Sequence, residues 1–288
     1  MSAKPQQSIA ETIRNSLERL TPTERKPALA LLANYPVAGL ETVAQFAKRA
    51  EVSGPTILRL VGKLGFESYP KFQHALRDEL EARLQSPLTK TPARRGRNGR
   101  ALDFLDEFAH ALADGVQASL RDVPRSEFAG AVGLLADARR PVYLLGGRFT
   151  ASLALQLYLH LREMRPHVQL IDGQTATWVE HLLDMGRRDV LVVFDIRRYQ
   201  DDVCRFASEA AGRGSSVVLV TDRWLSPIAS VARHVFALRT GAPSNWESFA
   251  AMSALVEALI ARLNDRRWGD VKRRIGTLEE LRGHLKAR

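Results

Sequence analysis

Apolar residues in the first third of the chain recur at helical spacing. Ile9, Ile13, Leu17 and Leu20 make one stripe over residues 8–20, which Thr21-Pro22 stops. Thr23 is placed to cap a second helix, with Leu29, Leu31 and Leu32 toward a core. Pro27 falls near its first turn, where the missing N–H costs little, and Tyr35-Pro36 ends it. A helix near 41–50 buries Val43, Phe46, Ala47 and Ala50. Val52-Ser53-Gly54 turns the chain, residues 55–64 form the next helix, and Gly65 suits its C-terminal cap. Tyr69-Pro70 opens a long helix to about Leu84, with Phe72, Leu76, Leu80 and Leu84 on one side.

Residues 86–100 lose this periodicity and are rich in Pro, Gly and Arg, the composition of a linker, with Arg94, Arg95, Arg97 and Arg100 as incidental charge. Residues 101–138 are helical in pattern. Short apolar runs then follow at 141–145, 168–171, 190–194, 217–220 and 235–238. Helical patterns at 150–164, 175–184, 200–212, 226–232 and 246–264 separate them. Near-continuous apolar strands alternating with helices imply an α/β unit whose parallel sheet is covered on both faces. Ligands of such open sheets bind beyond the C-terminal strand ends, here the loops after Leu145, Ile171, Phe194 and Val220.

Length and charge sharpen this division. The chain of 288 residues fits two domains, taken as 1–85 and 101–288 around the basic linker 86–100. Net charge is +10, and residues 1–100 hold 17 Lys and Arg against 9 Asp and Glu. That asymmetry suits a polyanion partner for the first third. No apolar run approaches a membrane span and the N-terminus lacks a signal-peptide core, so a cytoplasmic protein with no membrane partner is expected. Cys204, the single cysteine, excludes an internal disulfide and a multi-Cys zinc site, and reads as a plain thiol.

A helix, a tight turn and a second helix with hydroxyls and cations at its start, over residues 41–73, is the pattern of a helix-turn-helix reader of the major groove. In 55–64 the packing side is Ile57, Leu60, Val61 and Leu64, which leaves Thr56, Arg59 and Lys63 on the other side. Ser53 and Thr56 can donate to phosphate or base edges, and Arg59 can fork onto guanine O6 and N7. Lys48 and Lys63 suit backbone phosphate, and Pro55 opens the helix after Gly54.

Residues 40–76, with VSGPTILRLVGKLGFESYPKFQHAL at their centre, resemble the N-terminal domain of the RpiR-type bacterial transcription regulators. Val52, Ser53, Thr56, Ile57, Arg59, Lys63, Leu64, Gly65, Phe66, Tyr69 and Phe72 stand at the places of that family's pattern. The resemblance implies an all-α helix-turn-helix domain joined to a C-terminal SIS (sugar-isomerase-like) domain with a five-stranded parallel sheet flanked by helices. The SIS likeness covers about 130–265 and is clearest at 216–238.

SIS domains usually hold phosphorylated sugars with two hydroxyl-rich loops, and both are altered in this chain. After the first strand it reads Gly146-Gly147-Arg148-Phe149-Thr150, where Thr150 matches the hydroxyl and Arg148 replaces the second glycine. After the later strand, Asp195, Arg197, Arg198 and Gln200 occupy the Ser, Ser, Gly and Thr positions. Two readings stand: Arg148, Arg197 and Arg198 form a cationic pocket for a phosphate or carboxylate, or Arg197 pairs with Asp195 or a partner subunit and the site is degenerate. Neither a cofactor nor a metal is called for. His160, His167 and His181 do not follow a strand end, and Glu180 and Glu247 read as surface or cap carboxylates. The expectation is a non-enzymatic transcription regulator that binds double-stranded operator DNA, obeys a small anionic effector and assembles as a homodimer or homotetramer. A sugar-phosphate isomerase with an accessory helical domain is the alternative.

Overall fold

The computed structural model describes residues 8–84 and 104–286. The proposed linker 86–100, with Arg94 to Arg97 and Arg100, lies outside the described residues. The chain divides into two compact units, Met1–Lys90 and Thr91–Arg288.

The first unit is helical: α1 (Ile9–Ser16), α2 (Pro22–Ala33), α3 (Val37–Leu40), α4 (Val43–Arg49), α5 (Gly54–Lys63) and α6 (Tyr69–Leu84). Helix α2 starts earlier than expected. Thr21, not Thr23, is its N-cap, because Glu24 three residues on completes a capping box with it. Pro27 consequently sits inside α2 rather than in its first turn, and Leu29 is exposed rather than core. The short α3 carries no periodic signal. Its Gly39 sits against Leu31, Phe72 and Leu76, where a methyl group would overlap the Leu76 side chain. Phe46, Ile57, Leu60, Phe72 and Leu76 make a fully buried centre that fixes α4, α5 and α6 on one core. Gly65, at φ +90°, ends the α5 turn as expected.

In the second unit, α7 (Phe104–Asp122) and α8 (Arg125–Ala136) break at Val123-Pro124. They precede β1 (Val142–Gly146), α9 (Ala151–Met164), β2 (Val168–Ile171), α10 (Trp178–Asp184), β3 (Val190–Asp195), α11 (Asp201–Gly212), β4 (Ser216–Asp222) and β5 (His234–Leu238). Helices α12 (Ala250–Arg266) and α13 (Trp268–Lys286) follow. Residues 226–232 give only a 3-10 turn, Pro227–Ser230, and α13 lies beyond the last helix foreseen.

All five strands are parallel, in the order β2-β1-β3-β4-β5, with Val142 opposite both Val168 and Val190. Strand periodicity divides the core in two. Val142, Leu144, Val190, Val192, Phe194, Val218 and Val220 pack with residues of α8, α9 and α12. Tyr143, Leu145, Leu191, Val193, Val217 and Leu219 pack with α10 and α11. Chain order reverses between β1 and β3, so the loops after these strands adjoin at the switch point of the sheet. Among the described residues, no helix is long and apolar enough to cross a membrane.

Candidate functional site

Helix α5 presents a definite outer face. Ser53 is its N-cap in extended conformation, and a methyl on Gly54 would lie in ordinary contact, 3.4 Å from Val43 Cγ1. Pro55, Leu58, Arg59, Gly62 and Lys63 are exposed, as are Ser53 and, on α4, Lys48.

Thr56 lies buried beneath that face. It is 2% exposed, its hydroxyl lies 3.0 Å from Ser53 Oγ, and it accepts a 3.0 Å bond from the Arg59 guanidinium. Thr56 therefore aims Arg59 rather than reaching outward. Lys63 donates to the buried Glu24 carboxylate at 2.7 Å, tying the end of α5 to the start of α2. That bond first, and the Thr21 cap second, hold Glu24 down at about 2. Sequence reasoning missed Leu58, 49% exposed at the centre of the face, and Gly62, around which an added methyl would meet nothing within 4 Å. An apolar side chain on the outside of a short helix was the available signal for the first.

The second site is the crevice between the ends of β1 and β3, where helices α9 and α11 both begin. Gly146 is required by geometry, since a methyl on it would fall 2.6 Å from Ala151 Cα. Thr150, 2% exposed, donates to Phe194 O at 2.6 Å and accepts from Gly147 N–H at 2.9 Å. Its hydroxyl thus joins the two loops and faces inward. The Gln200 carboxamide oxygen accepts from the Arg148 backbone N–H and lies where a Gly147 methyl would be, 2.6 Å away. A side chain of the protein fills the position that a small-residue phosphate loop leaves open.

The charged residues separate by depth. Arg148 and Arg198 are exposed, Arg148 over the Phe149 ring at 5.2 Å and Arg198 at φ +64°. Phe149 in turn meets Trp246 edge-on, ring centres 6.3 Å apart, forming an aromatic lip. Arg197 pairs with Glu247 rather than with Asp195, and its backbone N–H donates to Asp222 at 2.5 Å. Asp222, fully buried, also accepts from Tyr199 OH at 2.8 Å and Trp224 N–H at 3.0 Å. Asp195 accepts the Ser226 hydroxyl. Burial and then the Asp222 charge raise its carboxyl to about 7. Burial and Asp195 push the neighbouring Cys204 thiol up to about 12, which keeps it protonated and unreactive. Two of the three arginines are exposed, and the third is engaged by Glu247. Glu180 is exposed on α10, and His160 is exposed on α9. His181 packs on Tyr143, and His167 precedes β2 at the opposite end of the sheet.

Residues 7–83 match the helix-turn-helix domain of the rpiR family, and residues 134–262 match the SIS domain. No curated protein matches the sequence. Among solved structures, the chain is similar to the sugar isomerase domain of the RpiR transcription factor from Sphaerobacter thermophilus. Identity there is 20%, the TM-score 0.58, and 62% of this chain and 99% of that one are covered. It is similar over 97% of its length to the whole Vibrio vulnificus NanR protein, solved with ManNAc-6P, at 19% identity and TM-score 0.55. An Escherichia coli protein solved in complex with A5P is 16% identical, with TM-score 0.52 over 62% of this chain and 96% of that one.

Proposed function

The chain belongs to the RpiR-type transcription regulators, an rpiR-family helix-turn-helix domain followed by a SIS domain, and from that membership we propose how its residues divide the work. Helix α5 enters the major groove. Arg59, held by Thr56, reads a guanine, while Ser53 and Pro55 meet the groove at the helix start. Lys48 takes backbone phosphate, and Lys63 does so while anchored on Glu24. The observation that carries this reading is the outer face of α5, where a pre-aimed guanidinium stands exposed beside Leu58 and Lys63.

In the SIS domain a small anionic effector of the sugar-phosphate class occupies the crevice after β1 and β3. Gly146, Gly147, Thr150 and Asp195 shape it, and Arg148 and Arg198 supply rim cations. NanR, similar over nearly the whole chain and solved with ManNAc-6P, supports that class. For the anion to reach the backbone amides, the Gln200 carboxamide must leave the Arg148 N–H. The effector and Gln200 therefore compete, as a switch requires, since a ligand shifts an equilibrium only through unequal affinity for its two states. A phosphosugar could likewise draw Arg197 from Glu247.

The protein works without catalysis, in the cytoplasm, as a homodimer or homotetramer. An isomerase needs a base beside the sugar. Of the carboxylates at the crevice, Asp195 is buried on the Ser226 hydroxyl and Glu247 is engaged by Arg197. Selection of bound duplexes from a random pool tests the DNA half. The wild type should enrich one sequence, and Arg59→Ala should lose about 1–3 kcal/mol of discrimination at one guanine. Enrichment of no sequence, or turnover of phosphosugars, would overturn the reading.

A further inference from the structure

Helices of a parallel α/β unit run against its strands, so their C-termini gather at the strand N-terminal ends, opposite the crevice. In this unit every strand is entered past a cation: Arg139 and Arg140 before β1, Arg165 before β2, Arg187 and Arg188 before β3, Arg213 before β4, Arg233 before β5. Because all five strands are parallel, these residues lie along one edge of the sheet. Their contacts link them side by side. Arg165 donates to the Arg140 carbonyl and Arg140 to the Arg188 carbonyl, while Arg187 lies over Gly214, where a methyl would come 2.7 Å from its Cγ.

Helix dipoles explain part of this, since C-termini favour cations. Arg165 and Arg213 are the C-caps of α9 and α11. Local carboxylates neutralise another part: Asp137 pairs with Arg139 and Arg140, Glu209 with Arg213, and Asp189 is buried on the Gly186 N–H. Arg187, Arg188 and Arg233 are left over. They are exposed and make no ion pair among the described residues, and Asp184 is the exposed carboxylate near them in the chain. At the β2 end the edge continues into an open cavity of about 510 Å³ lined by Arg162, Arg165, His167 and Arg274, with no acid in its wall.

We propose that this basal edge is a second, sequence-independent DNA contact, made by the SIS domain through Arg187, Arg188 and Arg233. The proposal rests on the DNA-binding reading above. Arg187 and Arg188 enter β3 and Arg233 enters β5, so at about 4.8 Å per strand the unpaired cations span about 10 Å. A duplex of that length carries roughly six phosphate charges. A polyanion, not a small metabolite, fits a row of such extent. Duplex DNA is the favoured polyanion because a bound N-terminal domain raises its effective concentration at the covalently joined SIS domain.

The test measures binding of the full-length chain to a 30-base-pair random duplex against salt. Each lost phosphate contact lowers the slope of log affinity on log salt by about 0.9. The triple variant Arg187→Gln, Arg188→Gln, Arg233→Gln should lose about 2–3 from the slope, the triple Lys variant should keep it, and the selected sequence should not change. A Gln variant with the wild-type slope overturns the proposal, as does one whose loss the folded Lys variant shares. Wild type that retains vesicles rich in phosphatidylglycerol, with a Gln variant that loses only that binding, would overturn it in favour of a membrane. Failure of the wild type to bind any duplex would instead sink the underlying DNA-binding reading.

Discussion

Asp195 links the crevice to folding stability in a way that can be worked through. It ends β3 at 2% exposure, accepts the Ser226 hydroxyl and lies near the buried Asp222. Burial first, and Asp222 next among the raising causes, move its midpoint from 3.8 to about 7. The unfolded chain gives up this proton near 3.8 and the folded chain keeps it until about 7. Stability from this group is thus fully present below about pH 4, falls as pH rises, and is lost above about 7. At about 1.4 kcal/mol per tenfold, the interval is worth at most about 4 kcal/mol, with water penetration reducing it. Asparagine keeps the shape of the protonated acid and does not titrate. Asp195→Asn should gain about 2–4 kcal/mol over wild type at pH 8 and about 1–2 kcal/mol at pH 5, with the difference vanishing toward pH 4. Urea denaturation of both proteins at these pH values reads the effect. A variant less stable at pH 8, or offset equally at both pH values, would refute the assignment of a buried proton to this carboxyl.

Other expectations concern the N-terminal unit. Glu24, held low at about 2 by Lys63 and Thr21, contributes stability above about pH 4.5 that is lost as pH falls toward 2. Glu24→Gln should abolish that acid transition and cost roughly 1 kcal/mol at neutral pH, seen in circular-dichroism melts. Leu58, exposed beside Arg59, is placed to meet a thymine methyl. Uracil for thymine at that position of the selected duplex should cost the wild type about 1 kcal/mol and Leu58→Ala nothing further. Gly62→Ala should stabilise the domain by roughly 0.5–1 kcal/mol, since nothing obstructs the added methyl, yet weaken binding where the helix must lie close to DNA. Equal affinity of the two proteins in a gel-shift titration would remove Gly62 from the interface.

Helix-turn-helix pattern and parallel sheet were legible because both rest on local periodicity. The apolar runs of β1, β3 and β4 are buried on two faces, and the i, i+4 spacing of Phe72 and Leu76 marks the α6 core. Boundaries set by side-chain caps were not: Thr21 and Thr23 both offer a hydroxyl, and only Glu24 three residues after Thr21 decides between them. Helix α13 escaped because Val271 is its one buried residue among those described, too little to produce a stripe. In the crevice, sequence named the loops but not their wiring. Gln200 on the Arg148 amide and Glu247 on Arg197 join residues about fifty positions apart, and no local spacing announces such pairs. Thr56 is buried because Ser53 and Arg59 close over it, which helical spacing alone does not announce.

The central claim is that one small anion, bound after β1 and β3, changes how tightly α5 holds DNA. The direct measurement is the affinity of the full-length chain for its selected duplex at fixed salt, with and without each of a panel of pentose, hexose and N-acetylhexosamine phosphates. At least one should shift the affinity fivefold or more, the scale of an ordinary coupling energy of about 1–3 kcal/mol, and Arg148→Ala should blunt the shift. A chain that binds its duplex specifically while every phosphosugar that binds it leaves that affinity unchanged would contradict the account.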